Sequence, residues 1–279
     1  MPRSHLQDIA RPDPGRGRQR VVSAPAAPRA GELRWPISPS TTFPSATALL
    51  RALSPEDWAQ MEPQLEAVEL PFDQTIHATG GSVDAVSFVE TGMVSLIVTL
   101  EGGEQVEAGI AGPEGLIGLP LIYGDSYSLT DARVQQEGTA LRIGAAAFCA
   151  EMDRSAALRG LLLRYALAFH AQVTLTAACN ARHVIEHRLA RWLLIAHDRA
   201  GADEFPMTHE FLSLMLGVRR PGVTIAAGML QKAGLIHYTR GRMAITGRLG
   251  LEAASCECYH TVRHEFARLL GPGPAKPSG

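Results

Sequence analysis

The feature that most constrains this fold is an abrupt change of residue pattern in the middle of the chain. From Val68 to Ile143 the sequence consists of short β-like runs, such as VSFVETGMVSLIVTL, that are separated by Gly-Gly and Gly-Pro turns. From Asp153 onward, stretches such as AALRGLLLRYALAFHAQVTLTAA carry the apolar spacing of helices. Short strands divided by tight turns are typical of an antiparallel barrel or roll. We therefore predict an α+β chain in which a β-roll, residues 46–152, precedes a helical half.

The first long helix, predicted over residues 153–182, is apolar on two sides. A seam suited to a partner helix recurs at steps of four and three: Leu158, Leu162, Tyr165 and Phe169. Further apolar surface, which could pack on the roll, comes from Leu161, Leu167 and Leu175. A helix that is apolar on two sides must be covered on both. This pattern predicts a dimerisation helix, and an ordinary core helix of a monomer is the alternative.

The two ends of the chain differ from its middle. Residues 1–45 include RPDPGRGRQRVVSAPAAPRAG, which is rich in Pro, Arg, Gly and Ala and has no apolar period. Such a segment cannot bury enough surface to offset its ordering entropy, so we predict a disordered tail. The tail is either a solvated extension or a basic arm that touches nucleic acid. Residues 256–279 are predicted to be a C-terminal extension.

Charge and cysteine content exclude several classes of protein. The formal net charge is -2, so a site for nucleic acid has to be local. No apolar run is long enough to span a bilayer, no membrane partner is expected, and the lack of a secretory leader favours the cytoplasm. The four cysteines are Cys149, Cys179, Cys256 and Cys258. They show no paired metal spacing, so no metal site is predicted.

Residues 183–255 contain the pattern of a helix-turn-helix. Thr208 is a good N-cap for the helix HEFLSLML, and Gly217 can adopt the left-handed conformation that ends it. Pro221 lies in the first turn of the next helix, where its missing N–H is not needed. A buried face follows at helical spacing: Val223, Ala226, Ala227 and Leu230. Two short helices joined by a glycine turn form this motif.

Arg219 and Arg220 stand at the start of that second helix. The helix dipole repels cations there, so a compensating role outside folding is expected. In a recognition helix the N-terminal residues meet phosphates and base edges in the major groove, and arginine binds guanine bidentately. Thr224 and Gly228 share the exposed face with Arg220. We predict Arg219, Arg220 and Thr224 as groove contacts.

A basic hairpin follows in GLIHYTRGRMAIT, and its tip carries Arg240 and Arg242. This is the form of a wing that holds the DNA backbone. Six Lys/Arg lie between Asp203 and Gly250, against three acids, so this part of the chain is locally basic. We predict that Arg240 and Arg242 contact phosphates.

The order of a β-roll, a long helix and a winged helix-turn-helix resembles the Crp/Fnr family of bacterial transcription regulators. The resemblance covers about residues 48–250 and is strongest in THEFLSLMLGVRRPGVTIAAGMLQKAGLIHYTRGRMAIT; GPEGLIGLPLI and VQQEGTALRI look like the late β-roll. It implies a jelly roll like those that bind cyclic nucleotides, and a homodimer that reads a two-fold symmetric double-stranded DNA operator. An effector of unknown identity and RNA polymerase are further candidate partners.

The DNA helix departs from the pattern of this family. The usual Arg-Glu-(x)₃-Arg becomes Arg220-Pro221-(x)₃-Ile225. Pro221 replaces an acid that commonly accepts from a cytosine amino group. Ile225 replaces the second arginine and could at most contact a thymine methyl. We therefore expect an operator that differs from the one typical of the family.

The cofactors of the family are not expected here. Members of the family that bind cyclic nucleotides carry a Glu shortly after a Gly, whereas Gly118 of this chain is followed by LPL. Those members then carry an Arg-Ser pair, whereas the matching loop here, YGDSYSLTD, holds Asp125 and Asp131 but no Arg. Burying a cyclic phosphate beside carboxylates without a cation is unfavourable, so cyclic AMP is not predicted. No cysteine precedes Cys149, so an iron–sulfur cluster is not predicted either. A haem would have to use a histidine such as His77 or His170, and solvated or structural histidines are the usual case.

Catalytic motifs are missing from the sequence. It has no G-x-S-x-G, Walker loop, dinucleotide fingerprint or H-E-x-x-H, and only His77 lies between Val68 and Ile143, which argues against a metal-dependent barrel enzyme. We predict that the chain is not an enzyme. The alternative to a transcription regulator is a ligand-binding or dimerisation module whose C-terminal helices mediate protein contacts.

Overall fold

The computed structural model of the protein describes residues 49–50 and 52–271. The tail predicted for residues 1–45 lies outside the described residues. The short helix α1 (Pro55–Met61) begins after Ser54, whose side chain caps it by accepting a hydrogen bond from the Asp57 amide. Among the described residues, no helix combines the length and the apolar character that crossing a bilayer requires.

The predicted β-roll is confirmed as two antiparallel sheets. Its strands are β1 (Glu66–Leu70), β2 (Thr75–His77), β3 (Ala85–Val89), β4 (Met93–Thr99), β5 (Gln105–Ala111), β6 (Leu116–Ile117), β7 (Asp131–Gln136) and β8 (Gly138–Gly144). They pair in the orders β1-β8-β3-β6 and β2-β7-β4-β5. The residues buried between the two sheets include Val89, Val94, Val134 and Ala140. Two short helices, α2 (Leu119–Ile122) and α3 (Ala145–Arg154), complete this half.

The long helix α4 (Ala156–Arg182) begins where the Ser155 side chain accepts a hydrogen bond from the Leu158 amide. The seam predicted to face a partner helix is instead buried inside this chain: Leu158, Leu162, Tyr165 and Phe169. The prediction was wrong because the segment treated as an extension forms helix α9 (Cys258–Leu270), which packs along α4. The ring of Tyr165 meets Phe266 of α9 edge-on, at a centroid distance of 6.4 Å.

The apolar side chains that α4 leaves exposed are one turn apart. Leu163 is 47% exposed and Leu167 is 51% exposed. Leu167 was predicted to be able to pack on the roll, and that prediction was wrong, whereas Leu161 is buried. The strip of Leu163 and Leu167 is therefore the apolar surface that α4 offers outside the chain.

The helical half continues with α5 (Ile185–Ala200), β9 (Glu204–Pro206), α6 (His209–Leu216), α7 (Arg220–Lys232), β10 (Ile236–Thr239), β11 (Arg242–Ile245) and α8 (Arg248–Ala254), before α9. The strands form a three-stranded antiparallel sheet in the order β10-β11-β9. Strand β9 lies at the edge of this sheet and pairs with β11.

The helical half packs directly on the roll. One apolar core combines Met93, Ile97 and Ile110 of the roll with Trp192 of α5 and Met215 of α6. Helix α6 also lies against strand β5. Helices α5 and α6 and the roll therefore share side-chain contacts as well as a covalent connection.

A carboxyl group is buried within this shared core. Glu107 of β5 accepts a hydrogen bond of 2.8 Å from Trp192 Nε1, and the Ser95 hydroxyl also donates to it. Burial raises the pKa of Glu107 from its ordinary value of 4.5 to about 7, although the hydrogen bonds and the charges of Arg191 and Arg199 oppose the shift. A carboxyl group with a raised pKa binds its proton more tightly in the folded state than in the unfolded state.

The first prediction concerns the pH dependence of stability. The pKa of Glu107 is higher in the folded state than in the unfolded state. The protonated side chain therefore stabilises the fold fully below pH 4.5, and this stabilisation is lost as the pH rises past about 7. The decline amounts to about 3 kcal/mol in the free energy of unfolding. We expect Glu107→Gln to remove this part of the pH dependence, as measured by denaturant unfolding between these pH values. Glu104→Gln, an exposed carboxylate on the same hairpin, is the control and should retain it. Identical pH profiles for wild type and Glu107→Gln would contradict the assignment.

Candidate nucleic-acid interface

Helices α6 and α7 form the predicted helix-turn-helix. The Thr208 side chain caps α6 by accepting a hydrogen bond of 3.1 Å from the Phe211 amide, and Gly217 ends it with a φ of 59°. Arg219 is the N-cap of α7 and Arg220 is its first residue. The predicted buried face of α7 is confirmed: Val223, Ala226, Ala227 and Leu230. The local sequence patterns therefore determine which face of α7 points outward.

The outward face of α7 is cationic at its start and apolar farther along. Arg220 and Thr224 are exposed there, and a Cβ built on Gly228 would meet nothing within 4 Å. Ile225 is 63% exposed and Met229 is 55% exposed, one turn apart. Met229 was missed in the sequence, although its position four residues after Ile225 indicates the same face.

The two arginines at the head of α7 lie on the surface. Arg219 and Arg220 are both exposed. The Nε atom of Arg220 lies 3.9 Å from a carboxylate oxygen of Glu210 on α6. In the described part of the chain, Arg219 has no ion pair. Both arginines therefore remain available to bind a ligand, since an exposed ion pair of this kind stabilises the fold by only about 0–1 kcal/mol and exchanges readily with other partners.

Thr224 is already engaged within the protein. Its hydroxyl donates to the Arg220 carbonyl oxygen at 3.2 Å and lies 3.1 Å from His209 Nδ1. The His209 ring stacks on Tyr238 of β10 at a centroid distance of 4.2 Å. Burial lowers the pKa of His209, and the charge of Arg220 lowers it further, which favours the neutral ring. These contacts join the wing to α6 and α6 to α7, and they engage the hydroxyl of Thr224 within the protein.

The wing is a hairpin with a two-residue turn. Strands β10 and β11 pair from Ile236↔Ile245 to Thr239↔Arg242, so Arg240 and Gly241 form the tip. Both tip residues have positive φ, 48° and 79°, as a type I′ turn requires. Arg242 forms an exposed ion pair with Glu204 of β9. Among the described residues Arg240 has no ion pair, so it is the less restrained cation of the wing.

The local excess of basic residues is smaller in the fold than in the sequence. All three acids of the segment pair with a nearby group: Glu210 with Arg220, Glu204 with Arg242, and Asp203 with His197. Arg248 is bound by Asp198 and Glu252 and stabilises the junction of α5, α8 and α9. The exposed cations that remain for a ligand lie at the head of α7, at its last residue, Lys232, and along the wing.

The roll contains a cavity of about 300 Å³ between β2, α2 and the following loop. It is lined by His77, Leu96, Leu116, Gly118, Leu119, Pro120, Tyr123, Asp125, Tyr127, Ser128, Leu129 and Thr130. No arginine or lysine of the described residues lines it, and Asp125 is its carboxylate. Burial lowers the pKa of His77, against the opposing effect of Asp131, while His170 is exposed on α4.

Two family models match the chain. The Crp-like helix-turn-helix domain matches residues 187–254, and the cyclic nucleotide-binding domain matches residues 67–155. Solved structures of regulators of this type have the same fold. FixK2 from Bradyrhizobium japonicum is 16% identical, with a TM-score of 0.61 over 69% of this chain and 98% of that one. TTHA1359, a Crp/Fnr regulator from Thermus thermophilus, is 20% identical, with a TM-score of 0.58 over 68% and 98%.

The chain belongs to the Crp/Fnr family. It is a DNA-binding transcription regulator with a domain of the cyclic nucleotide-binding type, in a family of regulators rather than enzymes. The c-di-GMP-responsive regulator CLP from Xanthomonas campestris shares the fold at 15% identity, with a TM-score of 0.56 over 70% of this chain and 100% of that one. A search of curated sequences found no match.

The ion pair of the wing gives a second prediction. Glu204→Gln removes the acid that holds Arg242, so we expect tighter binding to random-sequence duplex DNA, by up to about fivefold, since an exposed pair stabilises by about 0.2–1 kcal/mol. Fluorescence anisotropy at constant salt measures the affinity. Glu101→Gln makes the same charge change at an exposed position on the roll and should leave binding unchanged. An equal gain in both variants would mean that overall charge, rather than the Arg242 pair, sets the affinity.

Proposed function

We propose that this Crp/Fnr regulator acts in the bacterial cytoplasm as a homodimer that binds a two-fold symmetric duplex operator. In each subunit α7 enters the major groove and the wing follows the phosphate backbone. One observation carries the proposal: α7 buries one face completely and presents Arg219 and Arg220, exposed, at its outward start. Cations at a helix N-terminus are unfavourable for the fold, and a polyanion compensates for them.

The side chains of α7 divide into two groups by chemistry. Arg219 and Arg220 reach phosphates and guanine edges, which arginine binds bidentately. The methyl of Thr224 and the exposed side chains of Ile225 and Met229 are suited to thymine methyl groups. The exposed start of the helix therefore reads a guanine, and the following turns read an A·T-rich segment.

The wing carries no base preference in this proposal. Arg240 lies at the tip of the hairpin, and Arg242 is the first residue of the strand that follows it. From that position they neutralise phosphates, and each contact contributes to the salt dependence of binding. RNA polymerase stays a predicted partner, and no contact among the described residues tests this prediction.

The homodimer forms, in this proposal, through the outer strip of α4. Because the seam of Leu158, Leu162, Tyr165 and Phe169 is buried inside the chain, Leu163 and Leu167 take its place. In a two-fold interface each residue is used twice, so a short strip on each subunit forms a continuous seam.

The roll cavity is not suited to a cyclic nucleotide. A cyclic phosphate needs a cation or several N–H donors, and the cavity presents Asp125 instead. The effector, if it binds there, has no phosphate group that enters the cavity.

A second candidate function rests on the apolar part of α7. Ile225 and Met229 are more exposed than is usual for large apolar residues, which favours a module that binds another protein. Salt dependence separates the two functions, because only contact with DNA phosphates releases counterions.

The third prediction separates base contacts from phosphate contacts. Arg220→Ala should flatten the base preference at one position of each half-site, by about 1–3 kcal/mol of discrimination. Arg242→Ala should weaken binding to all sequences alike and lower the slope of log affinity against log salt by about one. Selection from random duplex DNA, followed by salt titrations of the selected fragment, measures both effects. Equal losses on every sequence in both variants would contradict these roles.

The fourth prediction concerns the dimer. Leu167→Glu places a charge in the outer strip of α4 on both subunits. We expect the dissociation constant of the dimer to rise about tenfold or more. Analytical ultracentrifugation measures the dissociation constant. Phe72→Glu, a matched change at an exposed turn of the roll, should leave it unaltered. If Leu167→Glu dimerises as the wild type does, the interface lies elsewhere.

A further inference from the structure

Four potential metal ligands meet at the end of the long helix. Cys179 and His183 lie at the C-terminus of α4, whereas Cys256 and Cys258 flank the start of α9. One ligand atom from each residue lies within 4.8 Å of all the others. The sequence does not predict this meeting, because Cys179 and Cys256 are separated by 77 positions.

The distances fit a single ion. The sulfurs of Cys179 and Cys256 are 3.5 Å apart, and the Cys258 sulfur lies 3.7 Å from His183 Nδ1. With zinc–sulfur bonds of about 2.3 Å and zinc–nitrogen bonds of about 2.0–2.1 Å, a tetrahedral site places its ligand atoms about 3.5–3.8 Å apart. A cluster of several irons holds its cysteines farther apart than this, since the metal atoms lie between them.

We propose that Cys179, His183, Cys256 and Cys258 bind one Zn²⁺ ion in a closed tetrahedral site. Three thiolates and one imidazole are a donor set typical of structural zinc, and they leave no open position for a substrate. This site goes beyond the proposed DNA binding and does not depend on it.

The surroundings of the histidine support the assignment. While Nδ1 of His183 faces Cys258, its Nε2 lies 3.4 Å from a carboxylate oxygen of Glu257. A metal-bound histidine commonly turns its second ring nitrogen to a carboxylate, which fixes the ring and makes it a better ligand. Glu257 stands between the two cysteine ligands, so the same short segment supplies both ligands and the carboxylate.

The charge of the site is also matched. Cys179, Cys256 and Cys258 are buried, and three thiolates with one Zn²⁺ leave one negative charge. Arg191 is buried beside the last turns of α4, where its Nη2 donates to Thr176 Oγ1 at 3.0 Å. Its Nε and Nη1 are buried without a hydrogen-bond partner in the described part of the chain. A buried cation in this position stabilises an anionic metal site.

The position of the site indicates what the ion does. His183 is the C-cap of α4, and the next residue, Val184, is the N-cap of α5. The ion therefore ties the end of the long helix, at the joint that leads to the DNA-binding helices, to the start of α9. Arg188 of α5 also donates to the Leu216 carbonyl oxygen beside the helix-turn-helix glycine. Bound zinc holds this joint in one geometry.

The test measures metal content in the full chain, without DNA. We expect one zinc per chain by mass spectrometry of the purified, reduced protein, and one Co²⁺ per chain with the ligand-field bands of tetrahedral thiolate coordination after exchange. Cys149→Ser, which alters the exposed cysteine outside the site, should retain one zinc. Cys179→Ser and Cys258→Ser should lose it, and His183→Cys should retain it with four sulfur ligands.

Two further measurements keep the proposal testable if a cysteine variant fails to fold. Glu257→Gln, which leaves the ligands in place, should weaken zinc binding by about 10–100-fold. A chelator should lower the Tm of wild type and of Cys149→Ser, and added zinc should restore it.

Several results would overturn the proposal. A reduced wild type that takes up neither Zn²⁺ nor Co²⁺, or a folded Cys179→Ser variant that keeps full zinc, excludes the site. So does a Cys179–Cys256 disulfide that persists under mild reduction, because it removes two ligands. None of these results bears on DNA binding, so the proposed function would stand or fail separately.

Discussion

The packing of one face of α7 determines what the rest of that helix can contact. Its small apolar residues lie against α5 and α6 so closely that a Cβ on Gly222 would come within 3.0 Å of Ile185. A helix held this tightly cannot rotate about its axis without opening the core, so its outward residues are fixed by its inward ones. The two arginines, the threonine methyl and the pair of large apolar side chains are therefore presented together, in one order.

The same module is fixed at two other places. Trp192 of α5 reaches the buried Glu107 of the roll, and α6 lies on strand β5. At the other end, the joint between α4 and α5 lies beside the cluster of cysteines and His183. A change in the roll can therefore reach α7 through the shared core, and a change at the joint can reach it through α5. The first route passes through a group whose charge is sensitive to pH, because burial raises the pKa of Glu107 to about 7.

Much of this architecture follows from local sequence patterns, whereas contacts between distant segments do not. Thr208, Gly217 and Pro221 mark the ends of two helices by chemistry that acts within a few residues, so the helix-turn-helix was predictable. The seam of α4 was misassigned because the roll and α9 cover it. Leu116 of the roll and Phe266 of α9, which both contact Tyr165, are distant in sequence, and no periodicity within α4 contains that information. The pairing of Glu204 with Arg242 and the meeting of Cys179 with Cys256 depend in the same way on tertiary structure. Counting charges or cysteine spacings along the chain could not detect either.

The most direct test of the central claim is selection of bound fragments from a pool of random duplex DNA by the purified full-length protein. If paired α7 helices read the major groove, the selected fragments will contain two inverted half-sites about one helical turn apart, roughly 10–10.5 base pairs between centres. Each half-site should hold a guanine beside an A·T-rich segment, and binding should weaken steeply with salt. Fragments without two-fold symmetry, or no enrichment above the starting pool at any salt concentration, would contradict the account.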